Sequence, residues 1–190
     1  MTPLATAVAA TDVAALPIGT AGPPFKGLLG TDGRRYGFSD FADRDVLVVI
    51  FASNRCPTVK AYADRMNALQ AEYGPRGVQL VAINSNSPHL YPDESYPFMI
   101  ERATLDAYSF PYLADPEQDV AKAYGAAVTF HLFVLDRDRR LRYQGRFDDA
   151  RLEANVTTHD VRNALDDMLA ERAVRTPNTR PFGCSLDFVS

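Results

Sequence analysis

The sequence predicts an α/β domain in which helices flank a mixed β-sheet. Two apolar runs, residues 46–52 and 78–84, lack the alternation of half-exposed strands and indicate strands covered on both faces. Between them, residues 57–73 carry apolar side chains at helical spacing. Because the connections are short, these elements predict a βαβ unit with parallel strands. Such a unit is typical of the α/β class.

The other elements follow from local patterns. Before the βαβ unit, a turn at residues 31–33 between two short runs predicts an N-terminal β-hairpin. A polar, proline-punctuated loop, residues 84–97, is long enough to suggest a functional role. After it we expect a helix at 97–108, an extended piece at 111–113, a helix at 117–124, antiparallel strands at 129–135 and 141–147, and a helix at 159–173.

Length and charge limit the organisation of the chain. Its 190 residues predict one domain at 16–175, preceded by a flexible leader at 1–15 and followed by a tail at 176–190. The net charge of −4 without a basic cluster argues against a nucleic-acid or membrane surface. No lysine or arginine precedes the apolar N-terminal run, so a secretory signal is not expected and the predicted location is the cytoplasm.

Cys56 is the first candidate for chemistry. It follows the predicted strand 46–52 and precedes Pro57, and proline is favoured at the first position of a helix. Cys56 is therefore predicted to be the N-cap, where the helix dipole stabilises a thiolate. A thiol in such a setting has a pKa between roughly 3.5 and 7.5 instead of about 8.5. A plain buried cysteine is the alternative.

Residues 51–62 (FASNRCPTVKAY) resemble the active-site stretch of thioredoxin-like redoxins of the AhpC/TSA, peroxiredoxin-like group. Further blocks resemble this group in the same order, at residues 19–25, 31–33, 82–86, 91–95, 110–113, 121–126, 145–149 and 183–185. The resemblance implies a thioredoxin-like fold. It also implies thiol redox chemistry in which Cys56 attacks a peroxide or a disulfide.

The sequence departs from that group at three positions. Ser53 stands where close relatives carry a first cysteine, and Val59 stands where a Cys-x-x-Cys motif has its second. Phe130 aligns with the cis-proline of thioredoxins and with an arginine of peroxiredoxins. These changes imply that Cys56 has no neighbouring thiol, that a contact to the substrate backbone is lost, and that a peroxide-activating cation is missing.

Several residues are candidates to support Cys56. Ser53 is expected to donate a hydrogen bond to its sulfur, and Arg55 or Arg146 to supply positive charge. Cys184, in the tail, is either a resolving cysteine or a small apolar anchor, and a disulfide needs its Cα within about 7 Å of that of Cys56. The predicted substrate-binding residues are Pro57, Thr129 and Phe130.

No metal or nucleotide site is expected. The three histidines are dispersed and no ligand spacing for zinc occurs. We expect His131 to be a core or surface histidine with a satisfied ring, and a position facing the Cys56 turn is the alternative. No glycine-rich phosphate loop is present, so no cofactor is predicted. The pair Asp93-Glu94 is expected to cap the helix that follows it.

The leading hypothesis is a peroxiredoxin-like thiol oxidoreductase with Cys56 as nucleophile. Its partners would be a small-molecule or protein thiol, disulfide or peroxide and a thiol reductant, and a homodimer is compatible with this hypothesis. Two alternatives remain open: a non-catalytic redoxin-fold binding or scaffold protein, and a specialised single-thiol enzyme.

Overall fold

The computed structural model describes residues 16–189 and shows one mixed sheet of seven strands in this range, in the order β2-β1-β5-β4-β3-β6-β7. The strands are β1 (Leu28–Gly30), β2 (Arg35–Tyr36), β3 (Val46–Ala52), β4 (Val78–Asn84), β5 (Tyr112–Ala114), β6 (Leu132–Leu135) and β7 (Leu141–Gly145). The helices are α1 (Pro57–Ala61), α2 (Ala63–Tyr73), α3 (Tyr96–Leu105), α4 (Asp119–Tyr124) and α5 (Asp160–Leu169). The leader predicted at 1–15 lies outside the described residues.

The pairing of the strands confirms the predicted mixed sheet. Strand β3 is parallel to β4 and antiparallel to β6, and β4 is parallel to β5. The N-terminal hairpin β1–β2 and the pair β6–β7 are antiparallel, as expected. No helix among residues 16–189 has the length and apolar character needed to cross a bilayer.

Strand β3 lies at the centre of two hydrophobic cores. All seven of its residues are buried, and successive side chains point to opposite faces of the sheet. Val48 and Ile50 face a core built with α1, α2, α3 and α5, whereas Val49 and Phe51 face a core built with α4 and the N-terminal segment. Because both faces are covered, the carboxyl end of β3 is held firmly where Cys56 follows.

The helix predicted at 57–73 is interrupted at Tyr62. Its backbone leaves the helical region, with φ −101° and ψ 0°, and its N–H bonds to the Val59 carbonyl, three residues back. The Tyr62 hydroxyl donates to the Asp148 carboxylate and to the Ala150 carbonyl. The ring packs against Phe130, with centroids 4.4 Å apart. These tertiary contacts hold Tyr62 where a continuous helix would not place it.

Several other helices and strands are shorter in the structure than the sequence predicts. The strand predicted at 129–135 begins at Leu132 because Phe130 has a left-handed backbone, with φ +69°. The helix predicted at 97–108 spans 96–105, since Ala107 has φ +49° and the Tyr108 N–H bonds back to Ala103. The final helix ends at Leu169, just before Glu171 at φ +55°. Strand β7 ends at Gly145, where φ is +142°.

A buried ion pair holds α2 to the segment after β7. Arg65 Nη1 lies 2.7 Å from Asp148 Oδ2, and the Asp148 side chain is almost completely buried.

Replacing Asp148 with Ala should lower the free energy of unfolding by about 3–5 kcal/mol, because it leaves the Arg65 charge buried without its partner. Urea unfolding measures this change. Asp45→Ala, which breaks an exposed pair with Arg137, is the control and should cost less than about 1 kcal/mol. Equal losses for the two variants would contradict the assignment.

Candidate redox site

Cys56 lies between the carboxyl end of β3 and the first turn of α1. It is the N-cap of α1, with an extended backbone at φ −60° and ψ 117°, and Pro57 is the first helical residue, as predicted. The Cys56 carbonyl accepts the first helical hydrogen bond from the Lys60 N–H at 3.1 Å. The side chain of Cys56 is buried, with 2% of the residue exposed. Cys56 is thus covered by other parts of the chain.

The tail covers Cys56 and brings Cys184 to it. The Thr129 N–H donates to the Cys184 carbonyl at 2.9 Å, and the Cys184 N–H donates to Thr129 Oγ1 at 3.1 Å. Val128 and Ser185 form an antiparallel β-bridge next to these bonds. A side chain at Gly183 has no room, since a Cβ there would lie 1.8 Å from the Thr129 carbonyl oxygen. The two cysteines are both free and their thiols interact.

The surroundings give the two thiols opposite shifts in pKa. Burial opposes ionisation of Cys56, but hydrogen bonds from the side chains of Cys184 and Thr129 and from the backbone of Val59 and Cys184 outweigh it, so the pKa of Cys56 is lowered. Burial and the adjacent Cys56 sulfur raise the pKa of Cys184 to about 11. Cys56 is therefore the thiol that ionises first, with Cys184 as a hydrogen-bond donor to it.

A buried carboxylate, Glu94, organises the loop that leads to Cys56. The Ser53 hydroxyl donates to Glu94 Oε1, and the Asn54 N–H donates to Oε2 at 2.8 Å. The Asn84 side-chain amide adds a third bond to Oε2 at 2.9 Å. Only 4% of Glu94 is exposed. The prediction that Glu94 caps α3 was wrong, because its side chain points inward and Ser95 is the N-cap.

Ser53 orders the loop. The prediction that its hydroxyl donates a hydrogen bond to the Cys56 sulfur was wrong. Its hydroxyl hydrogen is committed to Glu94, and its oxygen accepts the backbone N–H groups of Arg55 and Cys56, both at 3.0 Å. The hydrogen bond expected from Ser53 comes instead from Thr129 and Cys184. Ser53 thus links the Glu94 carboxylate to the backbone of Cys56.

A cleft of about 380 Å³ opens beside the two cysteines. The polar loop 84–97 forms one wall of this cleft. The residues around the cleft are Ser53, Arg55, Cys56, Pro57, Asn86, Tyr91, Glu94, Cys184, Ser185 and Asp187. The Arg55 guanidinium lies over the Tyr91 ring, 4.2 Å from its centre, and Arg55 Nε is 3.2 Å from Asp93. Its charge is therefore at the rim and already paired.

The structure does not bring every predicted residue to this cleft. Arg146 is engaged elsewhere, with Nε 2.7 Å from Asp160 Oδ2. Phe130 is buried between the rings of Tyr62 and Phe147, so its side chain contributes packing and does not line the cleft. Thr129 contacts the cysteines, and Pro57 lies at the rim.

His131 does not face the Cys56 turn. Its ring packs against Phe133, in the core on the opposite face of the sheet, with centroids 4.3 Å apart. Burial lowers the pKa of His131 to about 4, so the ring is neutral near neutral pH. Over residues 16–189, no three His, Cys, Asp or Glu side chains are grouped to hold a metal ion.

The comparison with known families agrees with this geometry. The model of the Redoxin family matches residues 17–165. The chain belongs to the redoxin family. As a redoxin it has the predicted thioredoxin-like fold and belongs among thiol oxidoreductases, so both coarse expectations are confirmed.

Similar proteins include one named oxidoreductase and two proteins known from crystal structures. The thiol-disulfide oxidoreductase ResA of Geobacillus thermodenitrificans (strain NG80-2) is 26% identical over 132 residues, which cover 70% of this redoxin and 71% of ResA. A crystal structure of a hypothetical protein from Sinorhizobium meliloti 1021 is 37% identical with a TM-score of 0.86, covering 93% of this chain and 97% of that one. An uncharacterized conserved protein from Geobacillus kaustophilus is 38% identical, with a TM-score of 0.85 and coverage of 91% and 93%.

Removing the Glu94 carboxylate should destabilise the redoxin. In Glu94→Ala, the Ser53 hydroxyl, the Asn54 N–H and the Asn84 amide lose a buried acceptor, and each such loss costs about 1–3 kcal/mol. We expect a decrease of about 3 kcal/mol in the free energy of unfolding, measured in urea. Glu101→Ala, an exposed acidic residue of α3, is the matched control and should change stability little. A Glu94→Ala protein as stable as this control would refute the role of the carboxylate.

The hydrogen bond from Cys184 should be visible in the titration of Cys56. Cys184→Ala removes the donor and should raise the pKa of Cys56, because the thiolate loses a stabilising hydrogen bond. The ultraviolet absorbance of the thiolate as a function of pH measures the midpoint. Cys184→Ser keeps a donor and should titrate at lower pH than Cys184→Ala. Identical midpoints in the two variants would show that the neighbouring side chain does not act on Cys56.

Proposed function

We propose that this redoxin is a thiol–disulfide oxidoreductase whose redox couple is Cys56 and Cys184. Cys56 is the nucleophile, because its pKa is lowered where that of Cys184 is raised. The observation that carries the proposal is that both cysteines line one cleft, where the pairing of the tail with Thr129 holds Cys184 beside Cys56. Since Ser53 and Val59 replace the motif cysteines, Cys184 supplies the second sulfur from a distant part of the chain.

The reaction proceeds through two exchanges. The Cys56 thiolate attacks one sulfur of a substrate disulfide, which forms a Cys56–substrate bond and releases the other substrate sulfur as a thiolate. Cys184 then loses its proton and attacks Cys56, and the remaining substrate sulfur leaves as a thiolate. The substrate disulfide gains two electrons and the protein loses two as the Cys56–Cys184 disulfide forms. An external dithiol returns the protein to its reduced state.

Peroxide is a second oxidant for the same couple. The lowered pKa of Cys56 favours attack on a peroxide oxygen, which yields a sulfenic acid on Cys56 and releases water or an alcohol. Condensation with Cys184 would expel a second water and form the same disulfide. The paired Arg55 offers less activation of peroxide than a free cation would, so we favour disulfides as substrates.

Oxidation should produce an intramolecular disulfide. Treating the reduced protein with one equivalent of glutathione disulfide should link the Cys56 and Cys184 peptides, because both cysteines line the same cleft. Non-reducing peptide mapping by mass spectrometry identifies the product. Cys184→Ser should instead hold glutathione on Cys56, and Cys56→Ser should stay largely unmodified.

The same mapping after hydrogen peroxide compares the two oxidants. A faster reaction with peroxide than with glutathione disulfide would favour the peroxidase. A wild type that accumulates mixed disulfide without the internal bridge would rule out Cys184 as the partner.

A further inference from the structure

A second cavity lies at the same edge of the sheet as the Cys56 cleft. Strands β3, β4 and β5 are parallel to one another, so their carboxyl ends share one edge. Cys56 follows the end of β3, while Asn84 and Ala114, which pair at the ends of β4 and β5, line the second cavity. Its volume is about 370 Å³. In open α/β sheets, ligands bind in crevices outside the carboxyl ends of the strands.

The second cavity adjoins the Cys56 cleft. Asn86 and Glu94 line both of them. The Glu94 carboxylate is two hydrogen bonds from the Cys56 backbone, because the Ser53 hydroxyl donates to it and accepts the Cys56 N–H. A ligand whose sulfur reaches Cys56 can therefore extend an arm past Asn86 and Glu94 into the second cavity.

The walls of the second cavity are mostly apolar. They come from β1, from the loop before α3, from α3 itself and from the end of β5. The apolar residues are Leu28, Leu29, Pro88, Met99, Ala114 and Pro116. Small-molecule sites typically combine such walls with a few placed polar groups. These walls favour a hydrocarbon arm on the ligand.

The Glu94 carboxylate sets the direction of that arm. It accepts hydrogen bonds from the Ser53 hydroxyl, the Asn54 N–H and the Asn84 side-chain amide. Three donors of the protein thus already serve this carboxylate, and a second carboxylate beside it is disfavoured by like charge. A negative group on the ligand therefore belongs away from the boundary with the Cys56 cleft.

Arg35 offers a place for such a negative group. It lines the second cavity and is exposed. Its Nη1 donates to the Gly27 carbonyl at 2.8 Å, which fixes one side of the guanidinium. Among the residues that the structure describes, no carboxylate forms an ion pair with Arg35. The other N–H groups of the planar guanidinium match the geometry of a carboxylate.

We propose that this redoxin exchanges electrons with a small dithiol that carries a hydrocarbon arm ending in a carboxylate. Its sulfurs meet Cys56, its arm lies in the second cavity, and its carboxylate pairs with Arg35. This inference rests on the proposed function, because it assigns a chemical class to the external dithiol that reduces the Cys56–Cys184 disulfide.

Reduction by such a dithiol proceeds in two balanced exchanges. One of its thiolates attacks Cys56, which forms a mixed disulfide and releases Cys184 as a thiolate. Its second thiol then loses its proton and attacks the substrate sulfur of the mixed disulfide, which closes a cyclic disulfide and releases Cys56 as a thiolate. The dithiol loses two electrons and the protein gains two. The protons that the dithiol gives up balance those that the two cysteines take up.

Three dithiols separate the contributions of the arm and of the carboxylate. Dihydrolipoate has a hydrocarbon arm that ends in a carboxylate, dihydrolipoamide has the same arm with a neutral amide, and propane-1,3-dithiol has no arm. Each is added to the full chain with its internal disulfide formed. The reaction is stopped by alkylation at successive times, and mass spectrometry counts the free cysteines.

The wild type should prefer the arm and the charge. We expect dihydrolipoamide to react about tenfold faster than the dithiol without an arm, which is the gain from burying about two methylene groups. Dihydrolipoate should be about threefold faster again, as an exposed ion pair allows. This comparison needs no variant, so a defect in folding cannot obscure it.

Two pairs of variants locate these preferences. Arg35→Ala should remove the advantage of the acid over the amide, whereas Arg34→Ala, a neighbouring exposed arginine outside the cavity lining, should keep it. Ala114→Leu should fill part of the cavity and reduce the advantage of both armed dithiols. Ala123→Leu, at an exposed position of α4, is its control and should keep that advantage.

The outcomes separate this inference from the proposed function. Equal rates for the three dithiols in the wild type would overturn the inference, and so would a preference for the acid that survives Arg35→Ala. An amide that reacts as fast as the acid would also contradict the pairing with Arg35. If no Cys56–Cys184 disulfide forms, or if none of the dithiols reduces it, the proposed function itself fails.

Discussion

The candidate site depends on the pairing of Thr129 with Cys184. The two cysteines are 128 residues apart in the sequence. The entropic cost of closing a loop increases only slowly with its length, and folding of the domain between the cysteines already brings the ends of this segment together. Once the domain has formed, a few hydrogen bonds at Thr129 suffice to place the second thiol. The same pairing places Thr129 and Cys184 beside the Cys56 thiol, and their hydrogen bonding lowers the pKa of Cys56.

Glu94 explains why a serine serves at position 53. A serine hydroxyl is a good hydrogen-bond donor and acceptor, whereas a thiol is a weak one. Ser53 uses both capacities, because it donates to Glu94 while its oxygen accepts two N–H groups of the Cys56 loop. The serine at the position of the first motif cysteine thus forms part of a polar support beneath Cys56. The second sulfur at the cleft comes from the tail.

Local patterns predicted the parts of the fold that depend on local interactions. The unbroken apolar runs of β3 and β4 and the Cys56-Pro57 pair placed Cys56 correctly at the N-cap of α1, because strand burial and N-capping are properties of neighbouring residues. Helix and strand ends were less accurate where tertiary contacts decide. Tyr62 leaves its helix to bond Asp148, 86 residues away. Phe130 ends its strand early by adopting a left-handed backbone that periodicity does not reveal.

The candidate site was harder to predict because its contacts are long-range. Glu94 approaches Ser53 across 41 residues, and an acidic residue just before a helix is also the usual pattern of a cap. Its one distinguishing signal was the length of the polar loop around it. Arg146 resembled a cationic partner in sequence, but Asp160 lies at the start of α5 and pairs with it. For Cys184, the glycine before it was the useful signal, since it permits the close approach to Thr129.

Equilibration in glutathione buffers distinguishes a Cys56–Cys184 redox couple from a single reactive cysteine. The fraction of oxidised protein is measured by acid quenching and mass spectrometry while total glutathione is varied at a constant ratio of thiol to disulfide. An internal disulfide releases two glutathione molecules for each glutathione disulfide consumed, so the oxidised fraction should fall as total glutathione increases. An oxidised fraction that stays constant, with one glutathione bound to each protein, would contradict the account, because it would show that Cys56 acts without Cys184.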